Sequence, residues 1–200
     1  MMLGAGAAVC VLAGQRPASA VLTNGGERLS RQHSPGPRLA DLNPDRMWPV
    51  YRRYHLLIVG QRDDERSGVL TAAVVDVLSQ HLPGSLPQLV SAADARRIGV
   101  LIATNQHDIA IMQAESAEAL FLAKPPFADI HEAPLQIIVS FGSHVLVCRR
   151  DFMARHAYLL AQTLAGHGEA LPAAATAPQG VVPAHRGAHA FFAGEEMPND

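Results

Sequence analysis

Cysteine and charge are both scarce in this sequence, and each shortage removes a class of protein. Two cysteines in 200 residues cannot build a disulfide-stapled scaffold. If an N-terminal segment carrying Cys10 is cleaved, Cys148 stands alone and no intramolecular disulfide is possible. Charged residues make up 17% of the chain and the formal net charge is -2, so the basic surplus that neutralises phosphates is missing and nucleic acid is not an expected partner. After the N-terminal segment no stretch reaches 18 consecutive apolar residues, too few for a transmembrane helix. HExxH, GxSxG, Walker and dinucleotide-binding patterns are also lacking, which leaves no motif-level case for an enzyme, and no cofactor or metal is expected.

What is present is an apolar content of 48%, ordinary for one folded domain. Residues 1–20 (MMLGAGAAVCVLAGQRPASA) join a short apolar run to the small-x-small triplet Ala18, Ser19, Ala20, the shape of a secretory signal cleaved after Ala20. Export to a periplasm follows from that reading. Residues 21–53 are rich in Gly, Pro, Ser, Arg and Asn without apolar period and read as a leader or linker.

From residue 54 the chain alternates. Residues 55–60 (HLLIVG) suit a strand buried on both faces. Val69, Leu70, Ala73, Val74, Val77 and Leu78 recur at helical spacing before Pro83 and Gly84, with Ser67 as the expected N-cap. A strand at 88–90, a helix opened by the cap chemistry of 91–94, a strand at 108–113, a helix at 115–123, and apolar runs at 135–139 and 145–148 follow. This order predicts an α/β, three-layer fold, a mostly parallel sheet with helices on both faces. Ligands on such sheets lie beyond the carboxyl ends of the strands, which directs attention to the loops at 61–68, 91–94 and 113–116.

Those loops, with Ser67-Gly68, Ser91 and the strand Asp108-Ile-Ala-Ile-Met-Gln113, resemble the first lobe of type 2 periplasmic binding proteins, and most closely the TAXI-family receptors of TRAP transporters. Phe121 and Phe127 match the aromatic positions after the Gln, and Val182-Pro-Ala-His-Arg-Gly-Ala188 is similar to the closing P-x-H-P-G-A signature, with Arg186 in place of its proline. The resemblance spans residues 54–194 and leaves 195–200 as a tail. No second lobe fits between Asp151 and the helix that starts near Phe152, so it implies a one-lobed receptor, a solute-binding protein that performs no covalent chemistry. It further implies a TRAP-type permease as partner. The alternative is a one-lobed periplasmic accessory or interaction protein derived from a receptor.

The implied ligand is a small carboxylated or amino-acid-like solute. Helix N-termini at Gly68 and Asp94 attract anions. Ser67 and Ser91 offer hydroxyls, Gln113 both donates and accepts, and Arg62 or Arg66 supplies charge. Glu115 joins this set by position and suits an amine-bearing ligand. Other constellations rank lower. His185 and His189 lack a third metal ligand, Asp63, Asp64 and Glu65 alternate with arginines as a solvated cluster would, and Phe141-Gly142-Ser143-His144 lacks the second glycine of a nucleophile elbow. Residues 152–164 predict one helix, and the segment after Pro183 is expected to return an apolar patch to the same sheet.

Overall fold

A computed structural model describes residues 55–131 and 133–199; the expected secretory signal and the leader to residue 53 lie outside the described residues. The strands are β1 (Leu57–Gln61), β2 (Gln88–Ala92), β3 (Ile109–Gln113), β4 (Leu135–Phe141) and β5 (His144–Arg149). They form one sheet of order β2-β1-β3-β5-β4. β1 pairs in parallel with β2 and β3, while β5 is antiparallel to both β3 and β4. Four strands therefore point one way and β5 alone opposes them, so the sheet is mixed within the expected three-layer α/β fold.

The helices are α1 (Glu65–His81), α2 (Ala95–Ala103), α3 (Ala114–Phe121), α4 (Ala154–Gly166) and α5 (Arg186–Phe192). Strand alternation sorts them. Ile58, Ile109, Ile111, Leu146 and Cys148 pack with Leu70 and Val74 of α1, Leu160 and Leu164 of α4, and Ala188 of α5. Val59, Ala110, Met112, Val145 and Val147 pack on the other face with Ile98 and Ile102 of α2 and Leu120 of α3. No described helix is long and apolar enough to cross a membrane.

Local details depart from the expected boundaries; β2 runs on to Ala92, so Ser91 lies in the strand and not in the loop that opens α2. α1 begins at Glu65 rather than after Ser67, because Asp64 is the N-cap and its carboxylate accepts from the Arg66 and Ser67 N–H groups. Ser67 lies inside the first turn, fully buried. In β4 a bulge between Ile137 and Val139 shifts the register against β5, so Leu135 and Ile137 face the α2 side whereas Val139 and Phe141 face the α1 side. A one-residue insertion reverses the facing of everything beyond it.

The tail returns as expected. Ile137 N–H donates to Pro183 O, His185 N–H to Ile137 O, and Thr176 and Ser140 exchange both backbone bonds. These contacts cover the outer edge of β4, which would otherwise present unpaired groups. His185 caps α5: its Nδ1 accepts from Gly187 N–H at 3.2 Å and its Nε2 lies 2.9 Å from Phe152 O. Its ring is thus committed to structure, with Nδ1 as acceptor and Nε2 as donor.

Cys148 is completely buried in β5. Burial first, and the nearby charges of Asp108 and Asp151 second, push its thiol well above the usual value. Thiolate is the reactive form, so Cys148 is expected to resist alkylation in the native protein. Peptide mapping after iodoacetamide treatment should find it unmodified over an interval that modifies it fully in guanidinium; labelling at equal rates in both conditions would contradict this packing.

Candidate functional site

The sheet's carboxyl edge is where order reverses: the chain goes from β1 outward to β2, then back across β1 to β3. Loops leaving β1 and β3 diverge there, and the β4–β5 hairpin reaches the same edge because His144 pairs with Gln113. Gly142 and Ser143 are the two turn residues of that hairpin. Gly142 has φ +68°, which the first central position of a two-residue II′ turn needs and a Cβ disfavours. The Ala114 N–H at the start of α3 donates to Ser143 O at 2.9 Å, seating the turn on the helix.

Four side chains meet at this edge. Asp64 Oδ2 accepts from Gln113 Nε2 at 3.0 Å and lies 2.8 Å from His144 Nε2, and His144 Nδ1 lies 3.0 Å from Ser143 Oγ. They meet because Gln113 and His144 both point to the α1 face, each following the alternation of its strand, and Asp64 stands at the head of α1. The side chains of His144 and Asp64 are 6% and 11% exposed, whereas Ser143 and Gln113 are exposed. Burial alone would raise the Asp64 carboxyl. Hydrogen bonds from His144, Gln113 and the Ser67 N–H, with the attraction of His144, outweigh it and hold Asp64 below the usual carboxylate value. An ionised Asp64 accepts only, so Nε2 of His144 carries a proton; in the neutral ring Nδ1 is then the acceptor and Ser143 the donor.

At the same edge but on the α2 face, Gln61 is buried and its Oε1 has no hydrogen-bond partner among the described residues. A buried acceptor of this kind asks for a donor from water or ligand.

Of the residues singled out from sequence, Gln113 joins the cluster. Ser67 does not reach it: its hydroxyl accepts from Gln61 N–H at 3.0 Å and donates to Ile111 O at 3.2 Å, so both functions are used inside the fold. Gly68 is half-buried in the first turn of α1, and Arg62, Ser91 and Glu115 are exposed and stand outside the hydrogen-bonded cluster. Asp94 caps α2 through Arg97 N–H at 2.7 Å.

Sequence reasoning weighed Asp64, Ser143 and His144 and ranked them low. Asp64 is not part of a solvated acidic cluster but a shielded hub. The available signal was Asp64 followed by Glu65, an N-cap with acidic first turn; nothing local pairs it with His144, which lies 80 residues away.

A cavity of about 550 Å³ opens at the opposite, amino edge, where Leu57 and Ile109 begin their strands and Phe152, Leu159 and Leu160 form part of the wall. His55, the first described residue, also borders it. The carboxyl edge is the better candidate, because side chains from three elements are already oriented there by one another. Among the described residues no cluster of His, Cys, Asp and Glu could hold a metal ion. No protein-family model matches the chain, and no curated protein matches it.

Proposed function

We propose that the chain is an exported, one-lobed solute-binding protein that captures a small carboxylated or amino-acid-like solute at the carboxyl edge of its sheet. In this reading it serves a TRAP-type membrane permease. The observation that carries it is the convergence of Gln113, Ser143 and the Asp64–His144 pair at the strand-order reversal, beside the first turn of α3, which lacks a side-chain cap. Reversal points in α/β sheets are the usual ligand crevices. The backbone N–H groups of that first turn receive a carboxylate. The exposed Gln113 amide takes the hydroxyl or amino groups of such a solute. Asp64 is saturated with donors and orients the other residues, while Arg62 and Glu115 at the rim select by charge.

A thermal-shift screen of small organic acids and amino acids tests this. A ligand at a hundredfold over its Kd stabilises by about 2.7 kcal/mol, a rise of roughly 5–10 °C for a domain of this size. A cooperatively unfolding protein that shifts with no member of the panel would end the proposal.

A further inference from the structure

We infer that Ser143 is an acyl-accepting nucleophile and that the carboxyl edge hydrolyses esters of small carboxylic acids, with His144 as the base and Asp64 as the positioning carboxylate. The inference rests on the same edge being the ligand site and goes beyond binding.

Three features separate this arrangement from a serine that merely closes a turn. The turn is already held by the Phe141–His144 strand pair, by Gly142 and by the Ala114 N–H on the Ser143 carbonyl, so the hydroxyl is not needed for it. Capping α1 uses Oδ1 of Asp64, which accepts from Arg66 and Ser67 N–H groups; Oδ2 is left to His144 and Gln113 alone. The imidazole and carboxylate are shielded while the hydroxyl at the end of the chain is exposed. A partly buried carboxylate, a histidine held by it and a hydroxyl on the other ring nitrogen make up a Ser-His-Asp relay. Here the serine uses Nδ1 and the carboxylate Nε2, the reverse of the serine-protease ring, and the proton transfer needs only that one nitrogen accepts while the other is held.

The reaction balances with water as its only co-reactant. Ser143 Oγ attacks the ester carbonyl carbon; the Oγ–C bond forms as the hydroxyl proton passes to His144 Nδ1. Asp64 stabilises the imidazolium. In this inference the oxyanion takes its hydrogen bonds from the first-turn N–H groups of α3, a helix without a side-chain cap whose Ala114 N–H already holds the Ser143 carbonyl. The bond from carbon to the alcohol oxygen then breaks, and that oxygen leaves with the proton from Nδ1. Water adds to the acyl carbon and gives a proton to Nδ1, which returns it to Oγ as the carboxylic acid departs.

The test uses the full chain with a fluorophosphonate probe and with p-nitrophenyl acetate. One probe per chain is expected, on the peptide that contains Ser143. Ser143→Ala should retain its melting temperature, take up no probe there and lose ester hydrolysis by about 10²-fold or more, because the nucleophile of the acyl transfer is gone. In a folded Asp64→Asn protein, whose asparagine still caps α1, the rate of labelling should fall by a similar factor, which a purely structural role for Asp64 would not produce. Absence of probe on Ser143 in folded protein, or full hydrolysis by Ser143→Ala, overturns the inference. If organic acids raise the melting temperature while the probe fails, binding stands and catalysis falls; if Ser143 labels and no acid binds, the reverse holds.

Discussion

Replacing Gly187 by alanine is expected to lower the melting temperature by roughly 5–10 °C, because among the described glycines its added methyl meets neighbouring backbone most closely. Gly187 is the second residue of α5, buried where that helix crosses α4. A Cβ there falls on the Ala154 carbonyl oxygen and lies 2.7 Å from Ala154 C and 3.0 Å from its Cα. Backbone at the head of α4 has no rotamer to yield with, so the helices must separate. Overpacking of this kind costs about 1–3 kcal/mol, sometimes more, and contact with backbone puts it at the upper end. The gain in helix propensity of alanine over glycine, about 1 kcal/mol, offsets only part. A net loss of about 2–3 kcal/mol converts at 2–4 °C per kcal/mol. Gly68→Ala is the control, because nothing lies within 4 Å of its Cβ and helical glycine gains stability on replacement by up to about 1 kcal/mol. Thermal unfolding of both variants decides the matter: a wild-type melting temperature for Gly187→Ala would mean that α5 does not dock as described.

Asp64→Ala should destabilise by about 2–4 kcal/mol. Loss of an N-cap carboxylate costs about 1 kcal/mol. The shielded His144 Nε2–H and the Gln113 amide lose their acceptor as well, and an unsatisfied buried donor costs about 1–3 kcal/mol. Asp64→Asn keeps the cap and should fall between wild type and alanine. Acidity separates the variants further. The folded carboxyl titrates below its unfolded value of 3.8, so the contribution of Asp64 is complete above that value and is lost as the pH falls from it through the lower folded value. Denaturant unfolding from pH 7 to pH 2 should therefore show a shallower acid decline in Asp64→Asn than in wild type. Parallel declines would exclude Asp64 as a source of the acid sensitivity.

Much of the architecture was legible locally. Apolar runs such as 55–60 and 108–113 are short and continuous because both faces of those strands are covered, and the i, i+3, i+4 recurrence of Leu70, Val74, Val77 and Leu78 marks the single buried face of α1. The cap of α2 at Asp94 and the return of the tail were legible for the same reason: capping groups and apolar stripes act over a few residues. Val69 belongs to the same sequence pattern yet is exposed, since a stripe wider than the contact leaves its margin in water.

The sequence by itself determined which segments become strands and helices, which of their faces are buried, and hence the layered α/β class. Tertiary structure decided the direction of β5, the bulge that turns Val139 and Phe141 to the α1 face, and the meeting of Asp64, Gln113, His144 and Ser143. The physical reason is range. Periodicity and capping report a residue's immediate surroundings, whereas the partner of a polar side chain at a sheet edge is set by strand order and register. Those are settled only when both hydrophobic faces close together, and at that point a residue with the local marks of a helix cap also becomes the acceptor for a histidine 80 positions later.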